Sequence, residues 1–322
     1  MGTIDIEGKK YLSNNLFFAD AFNYLLYGGE EVIKPEQLKE LDTAELMTPY
    51  GNSARVPVQK YRDLLRIWSA MTDENAIYVI LGAELQNKVH YGMPVKDGLY
   101  DMLGYSRQIE EIRKSYSQTK TGIDDGEFAA ENGTLKIKLS SEEFLSGLRK
   151  NDRLMPIITV VVYLGEKPWD GPKSLFDMLQ VSDDRLYHFL NDYRINLISP
   201  ADMGEDEFAK FHTDLGFAMK MIKHQADDAD EIIMQTGHHR ISSDTAYFLK
   251  SAIKLDLDFE ESTGGVDMCK ALEKKEKRDR ILGVIDYMKG EGKADSDIIA
   301  KIVEMYQVTE DFVVALLTPK KA

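Results

Sequence analysis

The chain has 322 residues, 43% of them hydrophobic, and a formal net charge of -15 at neutral pH. That length buries a core of ordinary size in one large or two small domains, and the acidity argues against a generally nucleic-acid-binding surface, because phosphate contacts favour basic patches. A single cysteine, Cys269, excludes an intrachain disulfide and a cysteine-rich zinc site. The longest apolar runs, such as Ile157 to Leu164, are too short to span a bilayer, and no apolar stretch follows the charges of the N-terminal MGTIDIEGKK. The expectation is a cytoplasmic protein with no membrane partner.

In chain order, Asn15 to Tyr27 sets Phe18, Phe22, Leu25 and Leu26 at helical spacing, and Gly28-Gly29 ends that helix where a left-handed cap is needed. Asp20 and Asn23 fall three apart on its more polar face. Asp20 reads either as an acid complementing the helix dipole or as a support for a metal site. Leu38 to Met47 reads as a short strand or extended segment, and Tyr50 to Pro57, rich in Gly, Asn and Ser, as a turn. Tyr61 to Gln108 then reads as strand, turn, strand, helix. Thr72-Asp-Glu-Asn75 has the composition of a hairpin loop, and Pro94 suits the first turn of a helix over Met93 to Tyr116. Leu99, Met102, Leu103, Ile109 and Ile112 are expected near one side of that helix. Asp101, Tyr105 and Gln108 share another face at spacings of four and three, which either looks back at the end of the sheet or is solvated.

Ser117 to Glu131 lacks periodicity and reads as an exposed connection, part of an insertion near 117–141. A second organised stretch begins at Glu142. Leu154 to Leu164 is a continuous, β-branched apolar run that suits a strand buried on both faces. Trp169-Asp-Gly-Pro172 is a loop, Ser174 to Leu179 a short helix and Tyr193 to Ile198 another strand. The alternation gives an α/β or α+β sheet sandwiched by helices. Beyond Pro200, Asp206 to Ala226, Ser242 to Leu255, Met268 to Met288 and Asp295 to Leu317 carry helical spacing with nothing strand-like between them. The expected division is a first domain over 1–235 and a helical C-terminal region over 236–322. Lys270 to Arg280 is the densest basic run, either a solvated helix surface or a phosphate-contacting patch. No phosphate loop, nucleophile elbow or H-E-x-x-H zinc helix occurs, and the adjacent His238-His239 would point about 100° apart on a helix, as surface residues do.

The chemistry concentrates in Tyr61 to Gln108. Asp63 lies near the start of the first strand, and Glu84 and Gln86 close the apolar run Ala76 to Ala83. Strand side chains alternate faces, so Glu84 and Gln86 point the same way, and pairing of the two strands sets Asp63 beside Glu84. Two acids and one polar partner at a sheet edge suit a divalent cation, which phosphodiester hydrolysis uses to neutralise charge on phosphorus and to activate water. Asp63 and Glu84 supply the acids and the Leu85 carbonyl a third protein ligand. Gln86 stands where a side chain would orient the water, a role often filled by lysine.

This arrangement of helix, strand with Asp63, strand ending Glu84-Leu-Gln86 and helix resembles the PD-(D/E)XK nuclease core. The wider sequence resembles the recombination-promoting nuclease family, whose members are also labelled transposases. The resemblance is carried by Phe17-Phe-Ala-Asp-Ala-Phe-Asn23, Gly28-Gly-Glu-Glu-Val-Ile-Lys-Pro35, Tyr61-Arg-Asp63, Leu81-Gly-Ala-Glu-Leu-Gln86, His90-Tyr-Gly-Met-Pro94, Leu99-Tyr-Asp101, Tyr105 and Gln108. It continues through Leu154 to Tyr163, Trp169 to Pro172, Tyr193 to Ile198 and Met268 to Leu272 and covers nearly the whole chain. It implies a mixed sheet flanked by helices and a cytoplasmic, bacterial DNA endonuclease dependent on Mg²⁺ or Mn²⁺, linked to mobile elements, recombination or defence. Asp63 and Glu84 would be its metal ligands, with Gln86 in the lysine position and Asp20, Lys60, Tyr105 and Gln108 in support. Glutamine brings no charge, so Lys60 or Lys88 is expected to supply it; Lys96 stands where family members often carry arginine. A homodimer would suit cleavage of both strands. The alternative is a nuclease-like protein that no longer cuts and serves as a binding or assembly module through its helical C-terminus.

Overall fold

The computed structural model describes residues 3–41, 44–47, 58–61, 63–72, 75–118, 140–226, 229–236, 240–257, 259 and 264–318. The chain divides into two compact units, Met1–Lys223 and His224–Ala322. The first carries, in order, α1 (Thr3–Leu12), α2 (Asn15–Tyr27), β1 (Leu38–Glu40), β2 (Ala44–Met47), β3 (Val58–Tyr61), β4 (Leu64–Thr72), β5 (Asn75–Gln86), α3 (Met93–Gln118), α4 (Ser141–Ser146), β6 (Ile157–Tyr163), β7 (Asn196–Ile198) and α5 (Asp214–Lys223).

The main sheet is mixed and five-stranded, in the order β1-β4-β5-β6-β7. β1 and β4 are antiparallel neighbours, as are β4 and β5, whereas β6 runs parallel to β5 and β7 parallel to β6. A hairpin suffices for an antiparallel pair, but the parallel step needs a crossover, and α3 belongs to it. The β-branched run Ile157–Tyr163 takes the interior place its composition demands: it pairs on both sides, and Val160, Val161 and Val162 are buried on alternating faces. Each such side chain removed from water contributes about 1.5–3 kcal/mol.

Register assigns the faces. Glu84 pairs with Val161 and Gln86 with Tyr163, and Val161 and Tyr163 pack with Met93 of α3, Trp169 and Ile195. Glu84 and Gln86 therefore lie on the α3 face. On the opposite face Arg66, paired with Leu81, ties the α1–α2 junction to the sheet. Its guanidinium donates to Ser13 O, Asn15 Oδ1 and Leu65 O at 3.0 Å each and lies over the Phe18 ring. Burial lowers its pKa, against a raising effect of Glu40.

Several expectations change in detail. Leu38 to Met47 is not one strand: β1 joins the main sheet, and β2 pairs with β3 in a separate ribbon. The α2 helix ends as its glycines require, at Gly28 with φ 63°. On α3 the alternative in which Asp101, Tyr105 and Gln108 face the sheet holds, and of the expected apolar side Leu103 is buried. Leu99 and Met102 are 41% and 57% exposed, whereas Asp97, Asp101, Ser106 and Gln108 are buried. The helix turns its polar stripe to the sheet because strand backbone and side chains there supply its partners. The expected turn over Tyr50 to Pro57, the connection over Ser117 to Glu131 beyond residue 118, and His238-His239 lie outside the described residues.

The second unit holds α6 (Ala229–Thr236), β8 (Arg240–Ile241), α7 (Ser243–Ala252), β9 (Val266–Asp267), α8 (Met268–Gly290), α9 (Asp295–Tyr306) and α10 (Glu310–Leu317). It starts earlier than 236 because α6 belongs with α8, to which Lys275 ties it through Asp230. It is mainly helical, but β8 and β9 form a short antiparallel pair not expected from sequence. Asp295 to Leu317 is two helices, broken where Gln307 takes φ 52° and Thr309 caps the next helix. Ile281, Ile285, Ile298, Ile302 and Val313 form their shared core. The basic run on α8 is partly neutralised: Lys275 pairs with Asp230, Arg278 with Asp256 at 2.6 Å and Arg280 with Glu276 at 2.9 Å.

Candidate functional site

The hairpin register brings the two acids together. Leu64, the first residue of β4, pairs with Ala83 of β5, so Asp63, one residue before it, stands at the level of Glu84 on the α3 face. Asp63 Oδ2 accepts the Leu85 amide at 2.9 Å. A strand residue turns its N–H and C=O to the same side; the Leu85 carbonyl therefore faces the edge on which Asp63 lies. Gln86, half-buried, shares the Glu84 face and pairs with Tyr163. Asp63 thus meets the Leu85 backbone beside Glu84, and Gln86 follows two residues on along the same face of β5.

Glu84 is nearly withdrawn from water, its side chain only 2% exposed, and Lys96 Nζ contacts its Oε2 at 2.8 Å. Lys96 lies in the first turn of α3 and is 28% exposed. Burial alone would lower its pKa, but Glu84, with Tyr100 and Asp63, holds it above the ordinary lysine value. Its ammonium also lies 5.7 Å from the centroid of the Tyr100 ring. One cation is thus subject to both acids, and sequence reasoning placed it in the family pattern without giving it this role. The signal was available: a lysine in the first turn of a helix opposes the helix dipole and calls for an anionic partner. Lys88, named instead as a source of charge, is exposed, and the side chain of Lys60 lies outside the described residues.

The other supporting residues are engaged elsewhere. Asp20 accepts the amides of His212 and Thr213 at 3.0 Å each and the Thr213 hydroxyl at 2.6 Å, fixing the entry to α5. Tyr105 OH accepts the Ile157 amide at 3.1 Å, and Gln108 both donates to Met155 O at 3.0 Å and accepts from Met155 N at 2.7 Å. Ile157 pairs with Ile80, four residues before Glu84, a separation of about 13 Å along a strand. Between these levels Asp101 Oδ1 accepts from the Thr159 hydroxyl at 2.8 Å and Oδ2 from the Tyr193 hydroxyl. The polar face of α3 therefore looks along β6, and Lys96 at its start reaches Glu84.

Among the described residues no group of three or more His, Cys, Asp and Glu side chains is arranged to hold a metal ion. Mg²⁺ needs less than that: one or two carboxylates suffice when water and carbonyl oxygens complete the shell. Two carboxylates flanking an edge-facing carbonyl fit such a hard cation in their oxygen chemistry. No helix among the described residues is long and apolar enough to cross a membrane. No protein-family model, curated protein or solved structure matches the chain.

Proposed function

We propose that this protein is a metal-dependent DNA endonuclease in which Asp63, Glu84 and the Leu85 carbonyl hold Mg²⁺ or Mn²⁺ and Gln86 orients the attacking water. The observation that carries this reading is the position of Asp63, one residue before β4, at the level of Glu84 in the neighbouring β5, with Asp63 fixed by the Leu85 amide. The cation, when bound, supplies the Lewis acidity that neutralises phosphorane charge and lowers the pKa of a coordinated water. The Leu85 amide fixes the orientation of Asp63. The sheet holds the Glu84 side chain nearly withdrawn from solvent, where an electrostatic contact is stronger than at the surface. Gln86 offers both an acceptor and a donor for positioning water, without the charge of a lysine. The resemblance to recombination-promoting nucleases supports DNA as the substrate and a role in recombination, mobile elements or defence. With Mg²⁺ or Mn²⁺ the purified protein nicks or cuts plasmid DNA, and Glu84→Ala removes that activity while the folded state persists; equal cutting by the variant would falsify the assignment.

One observation favours a second reading, a nuclease-like binding or assembly module that no longer cuts. Glu84 already has a cationic neighbour in Lys96, so the buried carboxylate is stabilised without a metal. Failure to bind Mg²⁺ or Mn²⁺ at millimolar concentration, together with a stable oligomer, selects that reading.

A further inference from the structure

A carboxylate as buried as Glu84 is costly to the fold unless a cation compensates it. Asp63, one residue before β4, adds a second negative charge on the same face. Compensation comes from α3, where the fourth residue of the helix reaches back to Glu84 Oε2 at 2.8 Å. The two partners differ in their freedom. Glu84 is held in a strand paired on both sides and has 2% of its side chain exposed, whereas Lys96 is 28% exposed and ends in a compact charge on a flexible four-carbon stem. The ammonium can turn to water, and the carboxylate cannot follow it.

We propose that Lys96 is the resident counter-cation of the Asp63–Glu84 pair, occupying Glu84 Oε2 while no divalent ion is bound and yielding that oxygen when one arrives. This rests on the metal-site reading above. A divalent cation and an ammonium repel each other across a single carboxylate, most strongly where water is excluded, so each lowers the affinity of the site for the other. Lys96 thereby sets how tightly the metal is held and keeps the metal-free site stable. The released ammonium remains beside the acids, where a phosphate brought by the substrate would meet it. In this way α3 returns to the site the positive charge that Gln86 does not bring.

The test is calorimetric titration of Mn²⁺ into the wild type, Lys96→Met, Lys96→Gln and Lys96→Arg, with thermal melts of each protein with and without Mn²⁺. Lys96→Met is expected to bind Mn²⁺ about tenfold tighter or more, because the competing charge is gone. Its metal-free form melts lower than the wild type and gains more from Mn²⁺. Lys96→Gln, which retains a donor to Glu84 and folds even if the methionine variant does not, shows the same shift to a smaller extent, and Lys96→Arg stays near the wild type. Equal or weaker Mn²⁺ binding by Lys96→Met and Lys96→Gln overturns the proposal and leaves the metal site standing. Absence of Mn²⁺ binding by all four proteins overturns the metal site itself, and this proposal with it.

Discussion

The two ends of the α3 face make the same kind of contact with the sheet and differ in what holds them. Toward its C-terminal half, α3 is fixed by matched hydrogen bonds: Gln108 to both backbone groups of Met155, Tyr105 to Ile157, and Asp101 to the hydroxyls of Thr159 and Tyr193. At its start the tie is a charge pair, Lys96 on Glu84, with Asp63 alongside. Hydrogen bonds of fixed geometry contribute to rigidity. A charge pair in which one partner is half free leaves an oxygen that another cation can claim. The polar residues of one helix thus divide into those hydrogen-bonded along β6 and one that meets the candidate acids.

Breaking the first end should cost function and spare the fold. Glu84→Gln or Asp63→Asn is expected to lower Mg²⁺-dependent DNA cleavage by about 10²–10³-fold or more, while the urea midpoint moves little, because Lys96 can turn to water. Breaking the second end reverses the pattern. Asp101→Ala leaves the Thr159 and Tyr193 hydroxyls without their acceptor and should cost about 1–3 kcal/mol in urea unfolding, with Mn²⁺ affinity per folded molecule unchanged. Gln108→Ala, which strands Met155 N–H and C=O, falls in the same range of about 1–3 kcal/mol. Asp20→Ala should cost about 1–2 kcal/mol, the scale of a lost helix-entry cap, and leave the site alone; a loss of Mn²⁺ binding here would return Asp20 to the metal site. The smallest effect is in pH. The Gly204 amide and, against a raising effect of burial, the Tyr24 hydroxyl hold the Glu207 carboxyl below its ordinary value. A lowered carboxyl contributes stability that is complete above the ordinary glutamate range and is lost as the pH falls through the lowered value. The difference in urea midpoint between the wild type and Tyr24→Phe should accordingly shrink between about pH 6 and pH 3.

The acid pair was legible because a strand has period two and a hairpin has a register: once Tyr61 to Gln86 reads as two paired strands, Asp63 and Glu84 can only share a face. The interior place of Ile157–Tyr163 was legible in its β-branched, uninterrupted run. The buried face of α3 was not. Leu99 and Met102 are apolar and Asp97 and Asp101 are charged, so hydropathy alone does not choose between the two readings of the Asp101, Tyr105 and Gln108 face; partners remote in sequence, the hydroxyls of Thr159 and Tyr193 among them, decide it. Asp20 escaped for the same reason, its partners His212 and Thr213 being remote in sequence. Lys96 lay between these cases. Its conflict with the helix dipole marked it as needing an anion, but which anion depended on how α3 returns across the sheet. The break at Gln307 and the short β8–β9 pair were masked by spacing that continues through them.

The central claim, that Asp63 and Glu84 form one divalent-cation site, is tested most directly by Mn²⁺ electron paramagnetic resonance, which reads the loss of the free-ion signal as protein is added. The wild type should sequester Mn²⁺ at a site that Glu84→Gln and Asp63→Asn each remove, with the melting curves of all three proteins still cooperative. Sequestration unaffected by both substitutions, or none by the wild type at millimolar Mn²⁺, contradicts it.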